Sequence, residues 1–173
     1  MFSMTAGPRP PSLLTLPSYL TSQVSRFGRR HLELVLAEHD MVLIHHGILA
    51  ALADFGPQSQ QQLADSLDFD KSHLVARVGH LAGRGLITRT QDPADRRRNQ
   101  VTLTPAGWKL VDQLQPVAQE SQQGFLEPLT QAERETLITL LRRVLDANDA
   151  ARGDATEGTP YPPPAYDGQP GAD

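Results

Sequence analysis

The sequence of 173 residues contains no cysteine, which excludes disulfides, cysteine metal sites and thiol-based redox sensing within this chain. Aromatic residues make up only 5% of it, and no apolar run approaches the roughly 20 residues that a membrane span requires. The first residues, Met1 to Pro11, lack the charged and apolar regions of a secretion signal. These absences predict a cytoplasmic protein of a bacterium or archaeon, with no membrane partner.

Signatures of common enzyme classes are also missing. The chain has no G-x-S-x-G nucleophile turn, no Walker phosphate loop, no glycine-rich dinucleotide motif and no H-E-x-x-H metal motif. The sequence therefore predicts a protein that is not an enzyme and that uses no cofactor.

Charge is unevenly distributed along the chain. The net charge is -4, of which residues 151–173 contribute -3, with one basic and four acidic side chains. Residues 70–98, in contrast, hold seven basic side chains against three acidic ones, a local charge of +4. A local basic patch is typical of a nucleic-acid surface, although charge by itself does not distinguish such a surface from a solvated basic face.

Apolar spacing and capping residues predict a mostly helical chain. Asp70 and Thr104 are suitable caps for the starts of two helices, and Gly85 for the end of one. Strands are predicted at 86–90 and 101–103, so that the residues between them form the tip of a hairpin. Helices are predicted over about 17–38, 42–55, 71–84, 106–126 and 131–148, and a further short helix opens at a capping box formed by Ser59 and Gln62.

Two short helices joined by a tight turn and followed by a hairpin predict a winged helix-turn-helix over about 42–104. The helices at about 17–38 and 105–148 carry apolar stripes that so small a centre cannot cover, which predicts pairing in a homodimer. The predicted fold class is mainly α with a small β wing: a winged helix-turn-helix with N- and C-terminal dimerisation helices. Residues 1–16 are predicted to be a flexible arm, and the acidic, proline-rich residues 149–173 a disordered tail.

The predicted helix 71–84 separates apolar residues from polar and basic ones. Arginine can read guanine with two hydrogen bonds, and serine or histidine can bond base edges or phosphates. The basic stripe contains no acid, which favours DNA contact over an ordinary solvated face. The predicted DNA contacts are Ser72 at the start of the helix and a stripe at i, i+4, i+7 and i+11, made of His73, Arg77, His80 and Arg84.

Residues 59–107 resemble the DNA-binding region of a known family. The run D-P-x-D-R-R…V-x-L-T-x-x-G, which ends here at Gly107, is typical of the wing of the MarR (multiple antibiotic resistance regulator) family. The order of helices is similar over about 17–148. The resemblance implies a recognition helix in the major groove of DNA and a wing arginine in the minor groove. By position that arginine is Arg97, two residues after Asp95. One departure is Asp68, which stands where the turn between the short helices often has glycine.

The basic run 96–98 fits the wing role physically. Narrow minor grooves concentrate negative potential and attract arginine. Asp95 cannot favour DNA by its charge, so we expect it to orient Arg97 through a bidentate pair. Arg96 and Arg98 flank Arg97 and are expected to contact phosphates.

The resemblance further implies a small aromatic or phenolic ligand in the crevice between the dimer helices and the DNA-binding lobe. An ordinary packed or solvated role is the alternative for each of the polar candidates, which are Arg30, His31, His45 and His46. His39 and Asp40 could join the last two in a metal-like cluster. Adjacent histidines, however, point about 100° apart on a helix, so no metal site is predicted.

Together these features predict a sequence-specific regulator of transcription that binds double-stranded DNA at a pseudo-palindromic operator, as a nucleoid-associated homodimer. The resemblance implies a repressor that a small ligand releases. Two alternatives stay open. A winged helix can serve as a protein-interaction module without specific DNA binding, but such a module would lack the basic wing and stripe. The other alternative is a metal-responsive regulator.

Overall fold

The computed structural model describes residues 7–91 and 99–154, with side chains as far as Ala151. Within these ranges the chain forms six α-helices and three strands, a mainly helical fold with a small antiparallel sheet, which confirms the predicted class. In chain order the elements are α1 Pro17–Ala37, α2 Leu43–Phe55, β1 Gln58–Ser59, α3 Gln60–Ser66, α4 Lys71–Gly83, β2 Ile87–Gln91, β3 Asn99–Leu103, α5 Pro105–Phe125 and α6 Gln131–Asp154.

The sheet contains one strand more than the sequence predicts. Strands β2 and β3 form the expected antiparallel hairpin, from the pair Ile87 and Leu103 to the pair Gln91 and Asn99. Strand β1 pairs with the other edge of β3, where its Gln58 lies opposite Val101. Two residues are too few to show an alternating pattern, and their pairing joins segments that are far apart in the chain.

One apolar core lies between the helices and the sheet. Gly107 sets how closely α5 approaches this core, because a Cβ atom there would lie 2.0 Å from the carbonyl oxygen of Leu86. This close approach explains why the wing motif ends in glycine. The largest fully buried side chains come from every helix except α6 and from β3, and they are Leu36, Ile48, Leu49, Leu52, Leu63, Leu74, Val78, Leu81, Val101 and Leu114.

Local hydrogen bonds start the helices where the sequence predicts. The Ser59 hydroxyl accepts from the Gln62 N–H at 3.2 Å, and the Gln62 side chain accepts from the Ser59 N–H at 2.9 Å, which is the predicted capping box. The Thr104 hydroxyl likewise accepts from the Gly107 N–H at 3.1 Å. Asp68 in the turn between α3 and α4 has a φ of 48°, the left-handed conformation that glycine adopts at least cost.

Both chain ends depart from the predictions in their described parts. Residues 7–16 include a single 3-10 turn, Leu13–Thr15, and the Arg9 guanidinium donates to Gln23 at 2.8 Å and to Tyr19 at 3.3 Å, so this part of the arm is tied to α1. Helix α6 continues to Asp154, so the prediction of disorder from residue 149 was wrong for its first six residues. No proline interrupts that segment. Residues 1–6 and 155–173 lie outside the described residues.

Candidate nucleic-acid interface

Helix α4 holds four of the residues predicted to contact DNA, and a fifth, Arg84, caps its C-terminal end. The helix is firmly anchored at its start. The Asp70 carboxylate accepts the N–H groups of Ser72 and His73 at 2.8 and 3.2 Å, and it also accepts the Ser72 hydroxyl. These hydrogen bonds lower the pKa of Asp70, and the one from the Ser72 hydroxyl has the largest effect. Because its hydroxyl proton is committed to Asp70, Ser72 offers a ligand lone pairs only, which suits a base amino group rather than a phosphate.

The first half of the predicted stripe is open to solvent. His73 is exposed and makes an edge contact with the ring of Phe69, with ring centroids 6.4 Å apart. Arg77 is exposed and has no hydrogen bond or ion pair with any residue of the described ranges. Its guanidinium is therefore available for two hydrogen bonds to a base.

The second half of the stripe turns toward the start of α2. The His80 ring is stacked on the ring of His45, with centroids 4.5 Å apart and planes 4° from parallel. The Arg84 guanidinium donates to the carbonyl oxygen of Asp40 at 2.9 Å and lies 4.0 Å from its carboxylate. The stripe thus has an acid beside it after all, supplied by the loop before α2.

The outermost face of α4 differs from the predicted stripe. Helical geometry places small side chains directly opposite the buried residues, and the stripe is one flank of that face. Within the stripe His73 and Arg77 are exposed on that flank, whereas His80 and Arg84 contact α2 and the loop before it. The small residues on the outermost face are Ser72, Ala76, Gly79 and Gly83.

A polar groove, of about 570 Å³, flanks α4 on the side away from α2. It carries the cations of Lys71 and Arg89 and no carboxylate among its lining residues, which otherwise are Ser59, Gln60, Gln61, Gln62, Asn99 and Val101. Neither Lys71 nor Arg89 was predicted as a contact residue, although both count in the local basic charge. The groove joins segments distant in sequence, so no local pattern reveals it.

The wing residues predicted to contact DNA, Asp95, Arg96, Arg97 and Arg98, lie outside the described residues. The paired strands that lead to them end at Gln91 and Asn99. Their roles in the minor groove and at phosphates remain predictions.

A second groove, of about 390 Å³, lies between α2 and α5. His46 is the one of the four predicted ligand residues that lines it. Burial lowers the pKa of His46. Arg30, His31 and His45 do not line it, and the His31 ring Nδ1 lies 3.1 Å from the Phe27 carbonyl of its own helix. The remaining lining residues are Leu49, Ala50, Ala53, Asp54, Trp108, Val111, Asp112, Leu114, Gln115, Ala118 and Gln119.

His45 instead lies inside the DNA-binding lobe. It is 4% exposed, and its Nδ1 accepts the N–H of Val42 at 3.4 Å. Its Nε2 is buried and has no hydrogen-bond partner in the described part of the chain. Its pKa is lowered to about 4, mainly by burial and then by the charges of His80, Arg77 and Arg84. The charge of Asp40 has a smaller, opposing effect. The ring is therefore neutral at physiological pH.

Across residues 7–91 and 99–154, no group of three or more histidine, aspartate or glutamate side chains is arranged to hold a metal ion. Among the same residues, no helix is both long and apolar enough to cross a membrane.

Three curated relatives share the sequence pattern. A putative transcriptional regulatory protein for the hcr operon of Thauera aromatica is 37% identical over 99 residues, which are 57% of this chain and 60% of that protein. The HTH-type transcriptional repressor NicR of Pseudomonas putida is 34% identical over 60% of this chain and 65% of its own length. The transcriptional regulator HosA of Escherichia coli O111:H- is 30% identical over 62% of this chain and 80% of its own length. The chain thus spans less than two thirds of the first two relatives.

Solved structures share the fold over most of the chain. BpsR of Bordetella bronchiseptica superimposes with a TM-score of 0.70 at 28% identity, covering 81% of this chain and 99% of that one. A probable transcriptional regulator from Pseudomonas aeruginosa superimposes with a TM-score of 0.68 at 30% identity, covering 76% and 98%. The model of the MarR family matches residues 39–98, which include α2, α3, α4 and the start of the wing. The chain belongs to the MarR family of transcriptional regulators.

Proposed function

We propose that this chain is a transcriptional regulator that binds double-stranded DNA in a sequence-specific manner as a homodimer. It acts in the cytoplasm on nucleoid DNA, as a repressor that a small aromatic or phenolic molecule releases, and it catalyses no reaction. The observation that carries the proposal is Arg77: it is exposed, it has no hydrogen bond or ion pair within the described residues, and it lies on a helix whose apolar side is buried in the core. The relative NicR is itself named a repressor.

The cations around α4 divide into a base reader and phosphate anchors. Arg77 is exposed on one flank of the helix, and the small Ala76 and Gly79 on its outermost face let a base edge approach. Lys71 and Arg89 lie instead in the polar groove between α3 and the wing, where a DNA backbone would run past the lobe. In this arrangement Arg77 gives sequence preference, whereas the groove gives affinity without preference.

Exposed apolar stripes on two helices support the homodimer. Each stripe follows helical spacing, and each of its side chains leaves 40% or more of its surface exposed in the single chain. Exposed apolar faces of this size mark contact surfaces. The stripe of α1 comprises Leu20, Val24, Phe27 and Leu34, and that of α6 comprises Ile138, Leu141, Val144 and Leu145.

The groove between α2 and α5 is the proposed ligand site. DNA binding by the neighbour BpsR is regulated by 6-hydroxynicotinic acid, an aromatic acid. In this chain the groove offers the Trp108 ring, a neutral His46 and two carboxylates, Asp54 and Asp112, and no lysine or arginine among its lining residues. That chemistry suits a ring with hydroxyl or N–H donors better than a carboxylate, which would meet like charge.

A pair of substitutions tests the division of roles. Arg77→Ala should cost about 1–3 kcal/mol of operator binding and relax the preference at one base pair in each half-site. Arg89→Ala should weaken all sequences alike and reduce the slope of affinity against salt by about one. Both would be measured on a panel of operator variants over several salt concentrations. Identical behaviour of the two variants across the panel would contradict the proposed base-reading role.

A further inference from the structure

We infer that His45 is a positioning residue for the recognition helix: its stack on His80, together with the contact of Arg84 with Asp40, holds the C-terminal half of α4 against the start of α2. The inference rests on the proposed function. It assigns His80 and Arg84, which sequence reasoning placed among the DNA contacts, to the support of α4 instead.

A hydrogen bond from the residue that caps α2 holds the His45 ring in one orientation. Val42 precedes α2, and its N–H group donates to His45 Nδ1 at 3.4 Å. Because a backbone N–H can only donate, Nδ1 is the acceptor, so the proton of the neutral ring is on Nε2. An oriented, buried ring gives His80 a flat surface on which it lies nearly parallel, with ring centroids 4.5 Å apart.

The second attachment lies one helical turn further along α4. The Arg84 guanidinium donates to the Asp40 carbonyl at 2.9 Å. Asp40 has a φ of 54°, a left-handed conformation that costs free energy for a residue other than glycine, and it lies in the short loop between α1 and α2. Two successive turns of α4 are thus attached to the same junction, through two chemically different contacts.

Packing alone does not require a histidine at position 45. The Nε2 atom is buried and finds no acceptor in the described part of the chain. A buried donor without an acceptor destabilises the folded state, and an apolar ring of similar size would avoid that effect. The neutral ring does, however, let His80 and the guanidinium groups of Arg77 and Arg84 lie close by without a further positive charge among them.

The consequence for DNA binding is a division within the stripe. His80 and Arg84 are engaged with α2 and its preceding loop, which leaves Arg77 with its guanidinium free in the described part of the chain. The position of Arg77 relative to a base depends on the tilt of α4, and that tilt depends on the two contacts. His46, the next residue, lines the groove between α2 and α5, so a molecule bound there would act on the same turn of α2.

A double-mutant cycle on operator affinity tests the inference. His45→Ala and His80→Ala should each weaken operator binding roughly tenfold, and the double variant should be little weaker than either one, because both remove the same contact. Base preference should stay that of the parent in all three. His45→Phe keeps a ring for the stack and should restore most of the affinity. His73→Ala is the matched control on the same helix, and its effect should add to that of His45→Ala.

Additive effects of His45→Ala and His80→Ala would overturn the inference, as would a change of base preference in His80→Ala. If His45→Ala fails to fold, two other variants still test the inference. His80→Ala changes an exposed residue, and His45→Phe keeps a ring at position 45. Amide hydrogen exchange of the free variants provides a readout without DNA. Residues 80–84 should exchange faster in His80→Ala while α6 is unchanged, and unchanged exchange there would also overturn the inference. A parent protein that binds no DNA but shows this exchange pattern would contradict the proposed function and leave the positioning role standing.

Discussion

Acid should destabilise this protein through His45, and the size of the effect follows from its burial. The pKa of this histidine is lowered from its ordinary value to about 4 in the folded chain, chiefly by burial. Between that value and an unfolded-state pKa of about 6.5 the unfolded chain binds more protons than the folded one, so stability is lost as the pH falls through this window. Lowering the pH from 7 to 5 should therefore remove about 2 kcal/mol of unfolding free energy through this one side chain.

The assay is urea unfolding at pH 7 and pH 5, at one protein concentration, for the parent and for His45→Phe. The pKa of His46 is lowered by burial as well, and that of Asp70 by its hydrogen bonds, so both proteins should lose some stability in acid. Those contributions cancel in the comparison. The parent should lose about 2 kcal/mol more than the variant between the two pH values. Equal losses in the two proteins would show that His45 does not titrate from a buried, neutral state.

Three further outcomes follow from the structure and sequence. Gly107→Ala should destabilise the fold by about 1–3 kcal/mol or more, because its Cβ would meet the Leu86 carbonyl at 2.0 Å. Gly79→Ala within α4 should stabilise it by about 0.5–1 kcal/mol, because its Cβ would make only an ordinary contact, at 3.9 Å, with the end of the Arg89 side chain. Thermal unfolding checks both signs. The parent should sediment as a dimer at micromolar concentration and Leu141→Glu as a monomer, and a monomeric parent would refute the proposed α6 interface. Arg97→Ala and Asp95→Ala should both weaken operator binding at fixed salt, and the double variant should bind little worse than Arg97→Ala alone. Tighter binding by Asp95→Ala would show that the aspartate does not orient the arginine.

The parts of the fold that depend on near neighbours in the chain could be predicted from the sequence. The cap of Thr104 on Gly107 and the box at Ser59 each join residues three positions apart, so a short motif contains both partners. The left-handed Asp68 could be expected in the same way, because it stands at a turn between two short helices. Each helix of the winged helix-turn-helix starts within a few residues of its predicted position for this reason.

The features that sequence reasoning missed depend on packing between distant segments. His80 was assigned to the DNA surface from its spacing along α4, but its surroundings are set by His45, which belongs to another helix. The position of Arg89 beside Lys71 likewise requires the sheet to lie against the start of α4. Periodicity identifies which side of a helix is buried, but not which neighbour borders each flank of the exposed side.

Sequence-specific DNA binding is the central claim, and selection from a random duplex library tests it most directly. The purified chain of 173 residues should enrich one pseudo-palindrome with half-site centres about 10 base pairs apart, since a two-fold dimer places its two α4 helices one turn of DNA apart. At physiological salt the selected duplex should bind at least about 10³ times more tightly than random DNA of the same length. Failure of the intact dimer to enrich any sequence, or equal affinities for the selected and random duplexes, would contradict the account.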